Sequence, residues 1–254
     1  MKLIKEVCEE SGLSHSILDN KGNLLSVRLG EKECFFTYTT TPFNREDVQH
    51  ICNDKSLVQT LVSSKVQMPK TKKYLRPDLD PNWHDALEFS SEKDIAFDIC
   101  NSFSFPLIIK MNAGSLGRNV FKSESRRGVE KAIATIFKED WALLAQEWID
   151  RKEEFRVIIV NNKVELVYPK GGGKFFTEGT DVFREVTDFL EPLQQCIELR
   201  WAGLDVIRDK NGKLWLIEIN TRPSFISAIR CNQSELIKPL YKKALKNLHN
   251  LSSL

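Results

Sequence analysis

The stretch that decides the fold runs from Leu204 to Asn220 and reads LDVIRDKNGKLWLIEIN, two β-rich runs joined by Asn211-Gly212. Asn-Gly between such runs is the strongest short-range signal for a β-hairpin, because both central residues of a type I′ turn adopt a positive φ. A two-residue loop at this point sets a register in which Asp205 stands opposite Glu218. The sequence therefore predicts an antiparallel hairpin that carries two carboxylates side by side.

Three oxygen-bearing side chains of this hairpin are predicted to share one face. Directly opposed residues point to the same side, as do residues two apart on one strand, which brings together Asp205, Glu218 and Asn220. Adjacent carboxylates repel unless a positive charge lies between them, and hard oxygen ligands suit Mg²⁺ that also binds substrate phosphates. The alternative is a solvent-exposed face with ordinary acids, but the apolar neighbours Ile217 and Ile219 favour a core position.

The composition is that of a globular protein without a charge signature for nucleic acid. The 254 residues are 41% apolar and 28% charged, and the formal net charge is +2. A nucleic-acid binder usually shows a basic excess or stripe, and the short run Lys72, Lys73 and Arg76 is predicted to be a solvated loop. No apolar stretch is long enough to span a bilayer. The six cysteines, none in Cys-x-x-Cys spacing, predict free thiols and a cytoplasmic location.

Helical and strand patterns alternate along the chain in an order that predicts an α+β fold with antiparallel sheets. Predicted strands cover residues 24–29, 34–38, 105–110, 143–148, 154–160, 163–168, 203–208 and 213–220. Predicted helices cover residues 91–101, 125–137, 185–199 and 234–248, with one more that begins at the N-cap Asn53 and ends before Pro69.

A short apolar strand ends at Lys110 and is followed by a loop of small residues. The sequence offers this lysine no obvious partner, and burying an unpaired ammonium is costly, so a phosphate oxygen is a candidate partner. In the loop, Gly114, Ser115 and Gly117 allow backbone N–H groups to approach phosphate closely. The loop matches neither the Walker A nor the GxGxxG pattern, and a plain surface turn is the alternative.

The segment Gln146-Glu147-Trp148-Ile149 precedes a run of mixed charge that contains Glu154 and Arg156. An extended backbone here can hydrogen-bond an adenine edge, a carboxylate shortly after it can bind ribose hydroxyls, and Arg156 can reach phosphate. A solvated loop remains the alternative for this segment.

Together these pieces resemble the ATP-grasp superfamily, in the branch that contains D-alanine–D-alanine ligase, glutathione synthetase, cyanophycin synthetase and the RimK-type amino-acid ligases. The resemblance runs from about Asn53 to Ser224, and its most specific part is Glu218–Pro223, close to the family's terminal signature. It implies an ATP-grasp fold of two α+β lobes with antiparallel sheets that enclose the nucleotide. The implied division is a short N-terminal region at 1–52 and an ATP-grasp domain at 53–254, with its small lobe at about 70–145.

The resemblance also implies a role for each candidate residue. ATP would be bound through Lys55, Lys110, Gly114, Ser115, Gly117, Gln146, Glu147, Trp148, Ile149 and Glu154. Mg²⁺, with Mn²⁺ as an alternative, would be bound by Asp205, Glu218 and Asn220. The candidates for contact with the transferred phosphoryl group or the acyl phosphate are Arg156 and Arg222.

The implied activity is ATP-dependent ligation of a carboxylate to an amine, on amino-acid or peptide substrates, through an acyl phosphate. The alternatives are a kinase on the same scaffold and a catalytically silent nucleotide-binding module. Two departures leave the substrates open. About 50 residues precede Asn53, too few for the family's usual N-terminal domain, and Lys170–Lys174 has no assigned counterpart. A partner subunit or a second copy is therefore a candidate to complete the substrate pocket, and neither nucleic acid nor membrane is an expected partner.

Overall fold

A computed structural model of the chain describes residues 1–38, 40–80, 82, 86–113, 117–230 and 233–252. The described residues form three antiparallel sheets, with strand orders β1-β2-β3, β11-β10-β8-β9 and β4-β7-β5-β6. The strands are β1 (His15–Ile17), β2 (Leu24–Leu29), β3 (Lys32–Thr37), β4 (Thr71–Leu75), β5 (Leu107–Met111), β6 (Val120–Ser123), β7 (Ala142–Glu147), β8 (Arg151–Val160), β9 (Lys163–Pro169), β10 (Trp201–Asp209) and β11 (Leu214–Asn220). The predicted α+β class with antiparallel sheets is confirmed.

Helices accompany these sheets along the whole chain. They are α1 (Lys2–Glu10), α2 (Glu46–Asn53), α3 (Lys55–Val62), α4 (Glu92–Ser102), α5 (Arg126–Ile136), α6 (Asp181–Leu190), α7 (Ile226–Arg230) and α8 (Lys238–Ser252). Among the described residues, no helix is long and apolar enough to cross a membrane. The cytoplasmic location stays a prediction.

The chain divides into two compact units, Met1–Asn53 with Lys152–Leu254, and Asp54–Arg151. In the second unit, α4 and α5 cover one face of the sheet β4-β7-β5-β6. Both helices begin at a serine N-cap, since Ser91 accepts a hydrogen bond from the Asp94 amide and Ser125 accepts one from the Gly128 amide. Their apolar stripes bury Ile99 against the core of this unit, together with Tyr74, Ile95, Leu107, Ile109, Val129, Ile133, Leu143 and Ala145.

In the first unit, the N-terminal residues share one hydrophobic core with the C-terminal half. Rings from both parts meet there: Phe43 lies 5.5 Å from Phe36, 5.2 Å from Trp201 and 6.5 Å from Tyr241 between centroids. The buried Asn44 side chain donates to the Trp201 carbonyl at 2.6 Å, so residues 1–53 are also tied to β10 by hydrogen bonding. The division of the family domains at residue 53 stays a prediction, while in the structure residues 1–53 pack with residues 152–254.

Two local predictions around residues 53–76 are wrong. Asn53 ends α2, and Asp54 is the N-cap of α3, because its carboxylate accepts from the amides of Ser56 and Leu57. The basic run at residues 72–76 is no solvated loop, since Lys72 and Lys73 belong to β4. Their ammonium groups pair with Asp98 at 3.1 Å and with Asp54 at 3.0 Å, partners that lie far away in sequence.

Two predicted helices of the second half begin or end elsewhere. The helix predicted for residues 185–199 is α6, from Asp181 to Leu190, followed by a 3₁₀ turn over Glu191–Gln195. Pro192 explains the change, because a proline lacks the N–H that an α-helix interior needs. The last helix begins at Lys238 after a short 3₁₀ turn, not at Ser234.

Candidate functional site

The turn of the β10–β11 hairpin is longer than predicted. The Asp209 amide donates to the Lys213 carbonyl at 2.9 Å, so three residues, not two, lie between the last paired positions. The Asp209 carboxylate explains this turn, because its Oδ1 accepts from the amides of Asn211 at 2.8 Å and of Lys213 at 2.9 Å. Gly212 completes it with a φ of +86°. The predicted type I′ turn is wrong.

A second irregularity restores the register that the longer turn displaces. Val206 pairs with Leu216, but Asp205 pairs with Glu218, so Ile217 is the extra residue of a β-bulge. The next facing position pairs Gly203 with Asn220. The predicted pairing of Asp205 with Glu218 is therefore confirmed, and alternation along the strands places Asp205, Glu218 and Asn220 on one face.

Two cations, Arg156 of β8 and Lys170 directly after β9, approach the carboxylate of Asp205, which is only 5% exposed. Arg156 Nη1 lies 3.0 Å from Oδ1, and Lys170 Nζ lies 2.8 Å from Oδ2. Lys170 also lies 2.7 Å from Glu154 Oε1, so a single ammonium joins two carboxylates. Burial disfavours the charged form of Lys170, but Asp205 and Glu154 outweigh it and raise the pKa of Lys170. Sequence reasoning assigned Lys170 no role, because its two partners lie on other strands.

The Oδ1 atom of Asp205 is buried and accepts no hydrogen bond from the residues that the structure describes. The Arg156 guanidinium is close enough for an ion pair, but its Nη1 is aimed at the Gly203 carbonyl, 3.5 Å away. Burial raises the pKa of Asp205, although the positive charges of Arg156 and Lys170 act to lower it. A buried carboxylate oxygen with an open lone pair is a fitting ligand for a divalent cation.

The donor set at this face fits Mg²⁺ in its chemistry. Asp205, Glu218 and Asn220 offer carboxylate and amide oxygens, and neither thiol nor imidazole is among them. No group of three or more His, Cys, Asp or Glu side chains in the described part of the chain is arranged to hold a metal ion. The proposed set contains only two carboxylates, with an amide as its third member, so it is not a group of that kind. The Mg²⁺ site at Asp205, Glu218 and Asn220 stays a prediction.

Gly203 makes room for the Arg156 side chain at this face. A Cβ at Gly203 would lie 2.8 Å from Pro223 Cβ and 3.1 Å from Arg156 Nη1. The first distance is below any ordinary contact between carbon atoms, so a larger residue would displace either the segment after Asn220 or the guanidinium. Glycine at position 203 is thus what lets Arg156 reach Asp205.

In the second unit, the sheet face opposite α4 and α5 carries a group of lysines. Register places two rows across the strands β6, β5, β7 and β4: Lys122, Ile108, Gln146 and Thr71 in one, and Val120, Lys110, Leu144 and Lys73 in the other. Opposed residues share a face, so three ammonium groups and one amide project from the same side. Sequence reasoning found Lys110 and Gln146 but missed Lys73 and Lys122, which alternation along β4 and β6 could have indicated.

Lys110 and Gln146 are both buried and joined by a hydrogen bond. Lys110, which is 6% exposed, donates to Gln146 Oε1 at 2.9 Å, and Gln146 Nε2 donates to Thr71 Oγ1 at 2.9 Å. Beyond the end of β7, the ring of Trp148 lies 4.4 Å from the Lys122 ammonium, measured from the ring centroid. The predicted adenine segment is therefore partly strand and partly loop, since β7 ends at Glu147.

Lys55 is the first residue of α3 and directly follows the N-cap Asp54. Its ammonium donates to the Asn112 carbonyl at 3.3 Å. Burial disfavours the Asp54 carboxylate, but hydrogen bonds from Ser56, Lys73 and Asn112 outweigh it and lower the pKa of Asp54. The start of α3 is thus held to β4 and to the residue after β5.

The remaining predicted residues are less constrained. Gly114 and Ser115 lie outside the described residues, whereas Gly117 is described and has a φ of +71°. Ile149 follows β7, and Arg222 is exposed two residues beyond β11. The structure thus groups the predicted metal residues with Glu154 and Arg156 in the first unit, and Lys55, Lys110 and Gln146–Ile149 in the second.

Comparison with known proteins agrees with this fold. Residues 52–238 match the RimK-like ATP-grasp domain. An uncharacterized MG012 homolog of Mycoplasma pneumoniae is 25% identical over 130 residues, 47% of this chain and 44% of that protein. A probable alpha-L-glutamate ligase of Histophilus somni is 28% identical over 130 residues, 46% of this chain and 43% of the relative. The match spans less than half the length of either curated relative.

Solved ligase structures share the fold. The D-alanine–D-alanine ligase from Bacillus anthracis, complexed with ATP, has a TM-score of 0.55 at 17% identity. The match covers 79% of this chain and 66% of the ligase chain. The VanG D-Ala:D-Ser ligase from Enterococcus faecalis has a TM-score of 0.58 at 17% identity, and the match covers 79% of this chain and 62% of the ligase chain. The fold is that of ATP-grasp proteins. More narrowly, the chain belongs to the RimK-like ATP-grasp family, which implies that it binds ATP.

Proposed function

We propose that the chain is an ATP-dependent carboxylate–amine ligase that acts on amino-acid or peptide substrates through an acyl phosphate. The observation that carries this proposal is the buried carboxylate of Asp205 opposite Glu218. Two cations lie beside it, and one of its oxygens accepts no hydrogen bond in the described part of the chain. An unsatisfied oxygen of a buried ion pair costs free energy, so this arrangement does not serve the stability of the core. In a site that binds a metal ion and polyphosphate, the metal would satisfy that oxygen.

The residues of the first unit would hold the reacting groups. Asp205, Glu218 and Asn220 would bind Mg²⁺, which supplies charge neutralisation for phosphate oxygens. Arg156 and Lys170, already placed at Asp205, would contact the oxygens of the transferred phosphoryl group or of the acyl phosphate. Glu154, held by Lys170, is the candidate for ribose hydroxyls. The exposed Arg222 is a further candidate for the acyl phosphate.

The residues of the second unit would hold the nucleotide. Lys55 and Lys110 would neutralise phosphate oxygens, and the backbone of Gln146–Ile149 would face the adenine edge. Gly114, Ser115 and Gly117 would cover the phosphates through their N–H groups. Lys73 and Lys122 lie on the same sheet face as Lys110 and add positive charge beside it.

The proposed reaction proceeds in two displacements. A carboxylate oxygen of the first substrate attacks the γ-phosphorus, the bond to the β-phosphate oxygen breaks, and ADP leaves. The neutral amine of the second substrate then attacks the acyl carbon, inorganic phosphate leaves with the bonding electrons, and the amine loses a proton. Positioning and electrostatic stabilisation carry such a reaction, so no protein nucleophile is required. The Histophilus somni relative is named a probable alpha-L-glutamate ligase, and the two solved structures are named ligases of D-alanine with D-alanine or D-serine, which supports a ligase of amino acids.

Trapping with hydroxylamine tests the proposal. The purified chain, with ATP, MgCl₂ and pooled amino acids or dipeptides, is expected to release ADP and to form hydroxamates when hydroxylamine replaces the amine. A kinase would instead give a stable phosphoester and no hydroxamate, and a silent module would bind ATP without releasing ADP. Either result would overturn the ligase assignment.

A further inference from the structure

A chain of hydrogen bonds crosses the lysine-bearing face of the second unit, through the adjacent strands β5, β7 and β4. Lys110 Nζ donates to Gln146 Oε1 at 2.9 Å, and Gln146 Nε2 donates to Thr71 Oγ1 at 2.9 Å. The Thr71 hydroxyl in turn donates to the Pro69 carbonyl at 3.0 Å. Lys110 and Gln146 are each only 6% exposed, and Thr71 is half-buried. Thr71, for which the sequence suggested no role, is thus connected to a proposed nucleotide residue.

The direction of this chain is set by the chemistry of its two ends. An ammonium group only donates, so Lys110 must face the oxygen of the Gln146 amide. A carbonyl group only accepts, so the single hydroxyl proton of Thr71 goes to Pro69, and the Thr71 oxygen accepts from the Gln146 NH₂ group. Both ends therefore require the same orientation of the Gln146 amide. Each donor also polarises the next in the same direction, which strengthens the bonds along the chain.

The sheet itself does not need polar groups at these positions. Ile108 and Leu144 lie on the same face and are apolar. Replacing both partners of a buried hydrogen bond by apolar groups of the same shape can leave stability almost unchanged. What the chain provides is a fixed place for the long, flexible side chain of Lys110, which would otherwise lose its freedom only when a nucleotide binds.

The segment Pro69–Thr71 also holds the residue after Gln146. The Glu147 amide donates to the Lys70 carbonyl at 2.9 Å, and the Lys70 amide donates to Glu147 Oε2 at 3.2 Å. Gln146 and Glu147 begin the segment that we propose to face adenine. One short segment at the start of β4 thus contacts the proposed adenine segment directly, and it reaches Lys110 through Gln146.

We propose that Thr71 is a positioning residue of the nucleotide site: its hydroxyl orients the Gln146 amide, and the amide oxygen holds the Lys110 ammonium where a phosphate of ATP binds. The inference rests on the proposed role of Lys110 and adds a residue that contacts neither phosphate nor base. Thr71 acts before the nucleotide arrives, because a lysine that is already held in place loses less conformational entropy on binding.

Calorimetric titration of the full chain with Mg·ATP tests the proposal. Thr71→Val keeps the β-branched shape that a strand favours and leaves the Gln146 NH₂ group without its acceptor, so the Kd for ATP should rise at least about fivefold. Thr71→Ser keeps the hydroxyl and should bind ATP within about twofold of the wild type. Thr135→Val, which removes a hydroxyl bonded to the Lys131 carbonyl within α5, is the matched control and should bind ATP normally.

A double-mutant cycle separates positioning from a general loss of packing. If Thr71 acts through Lys110, Thr71→Val should weaken ATP binding less than about twofold in the Lys110→Met background, whereas a structural effect would have the same size in both backgrounds. Thr71→Ala removes the same acceptor and replaces Thr71→Val if that variant does not fold. Equal effects in the two backgrounds, or a Thr71→Ser protein that binds as weakly as Thr71→Val, would overturn the inference.

The inference and the proposed function fail in different ways. ATP binding that Lys110→Met weakens and Thr71→Val leaves unchanged would remove Thr71 alone from the nucleotide site. A folded wild-type chain that binds no ATP would overturn the proposed ligase function, and the role of Thr71 with it.

Discussion

The Lys170 ammonium lies 2.8 Å from Asp205 Oδ2, so a protein cation already contacts a carboxylate that we propose as a Mg²⁺ ligand. Lys170 is held there from a second side by Glu154 at 2.7 Å. Two cations cannot share these oxygens without cost, since like charges at such distances repel. Metal binding and the Lys170 contact are therefore expected to compete.

Lys170→Met tests this competition. The variant is expected to lose stability without metal, because a buried carboxylate loses one partner. It should regain more on metal addition: the rise in melting temperature from ADP with EDTA to ADP with MgCl₂ should exceed that of the wild type by about 2–4 °C, corresponding to ~1 kcal/mol. Lys174→Met, an exposed neighbour, is the control. Equal shifts in all three proteins would contradict the competition.

Gly203→Ala is expected to damage the site more than the fold. The new Cβ would meet Pro223 at 2.8 Å and Arg156 Nη1 at 3.1 Å, and overpacking of this kind costs about 1–3 kcal/mol. We expect kcat for ADP release to fall at least tenfold, because Arg156 is displaced from Asp205. Gly171→Ala, where a Cβ meets nothing within 4 Å, should leave both unfolding and kcat unchanged. Full activity of Gly203→Ala would show that the Arg156 position is unimportant.

Lys110→Met is expected to weaken ATP binding. The side chain stays similar in length, but the charge that we assign to phosphate is removed, and charge-assisted hydrogen bonds contribute about 1.5–3 kcal/mol. The Kd for ATP, measured by calorimetry, should rise by at least tenfold. Lys93→Met, an exposed lysine of the same unit, should bind ATP normally. ATP binding by Lys110→Met at wild-type strength would remove Lys110 from the nucleotide site.

The Asp54 carboxylate predicts a pH-dependent contribution to stability. The folded-state pKa is lowered, since hydrogen bonds from Ser56, Lys73 and Asn112 outweigh burial. Its contribution is therefore fully present above the unfolded pKa of about 4 and is lost as pH falls toward the folded pKa. Asp54→Ala should destabilise the protein by ~1 kcal/mol at pH 7 and by less at pH 3 in urea unfolding. A difference that grows on acidification would have the wrong sign.

Much of the fold could be predicted from the sequence, because most strands and helices carry clear periodic patterns and caps. The hairpin strands were found from β-rich runs around Asn211-Gly212. The three-residue turn was not, because the deciding contacts come from the Asp209 side chain to amides that follow it. The bulge at Ile217 was also hidden, since Leu214–Ile219 is largely apolar on both faces and shows no break in alternation.

The residues of the candidate site could be predicted where residue type and strand alternation indicate them. They could not be predicted where they depend on contacts between residues far apart in the sequence. Asp205, Glu218 and Asn220 follow from strand alternation, and two errors in the predicted hairpin offset each other. The contact of Lys170 with Asp205 and the space at Gly203 depend on residues far apart in the sequence, which no local pattern reveals. Lys73 lies in a basic run that suggested a loop, although its partner Asp54 is distant in sequence.

The most direct test of the central claim is Mg²⁺-dependent ADP release by Glu218→Ala. Removing the carboxylate that faces Asp205 leaves the proposed metal with one acidic ligand, so the rate should fall by at least about a thousandfold, ~4 kcal/mol in the barrier. Glu178→Ala, an exposed glutamate of the same unit, should keep the wild-type rate. A Glu218→Ala protein that folds, binds ATP and releases ADP at a near-normal rate would contradict the assignment of this face as the metal site.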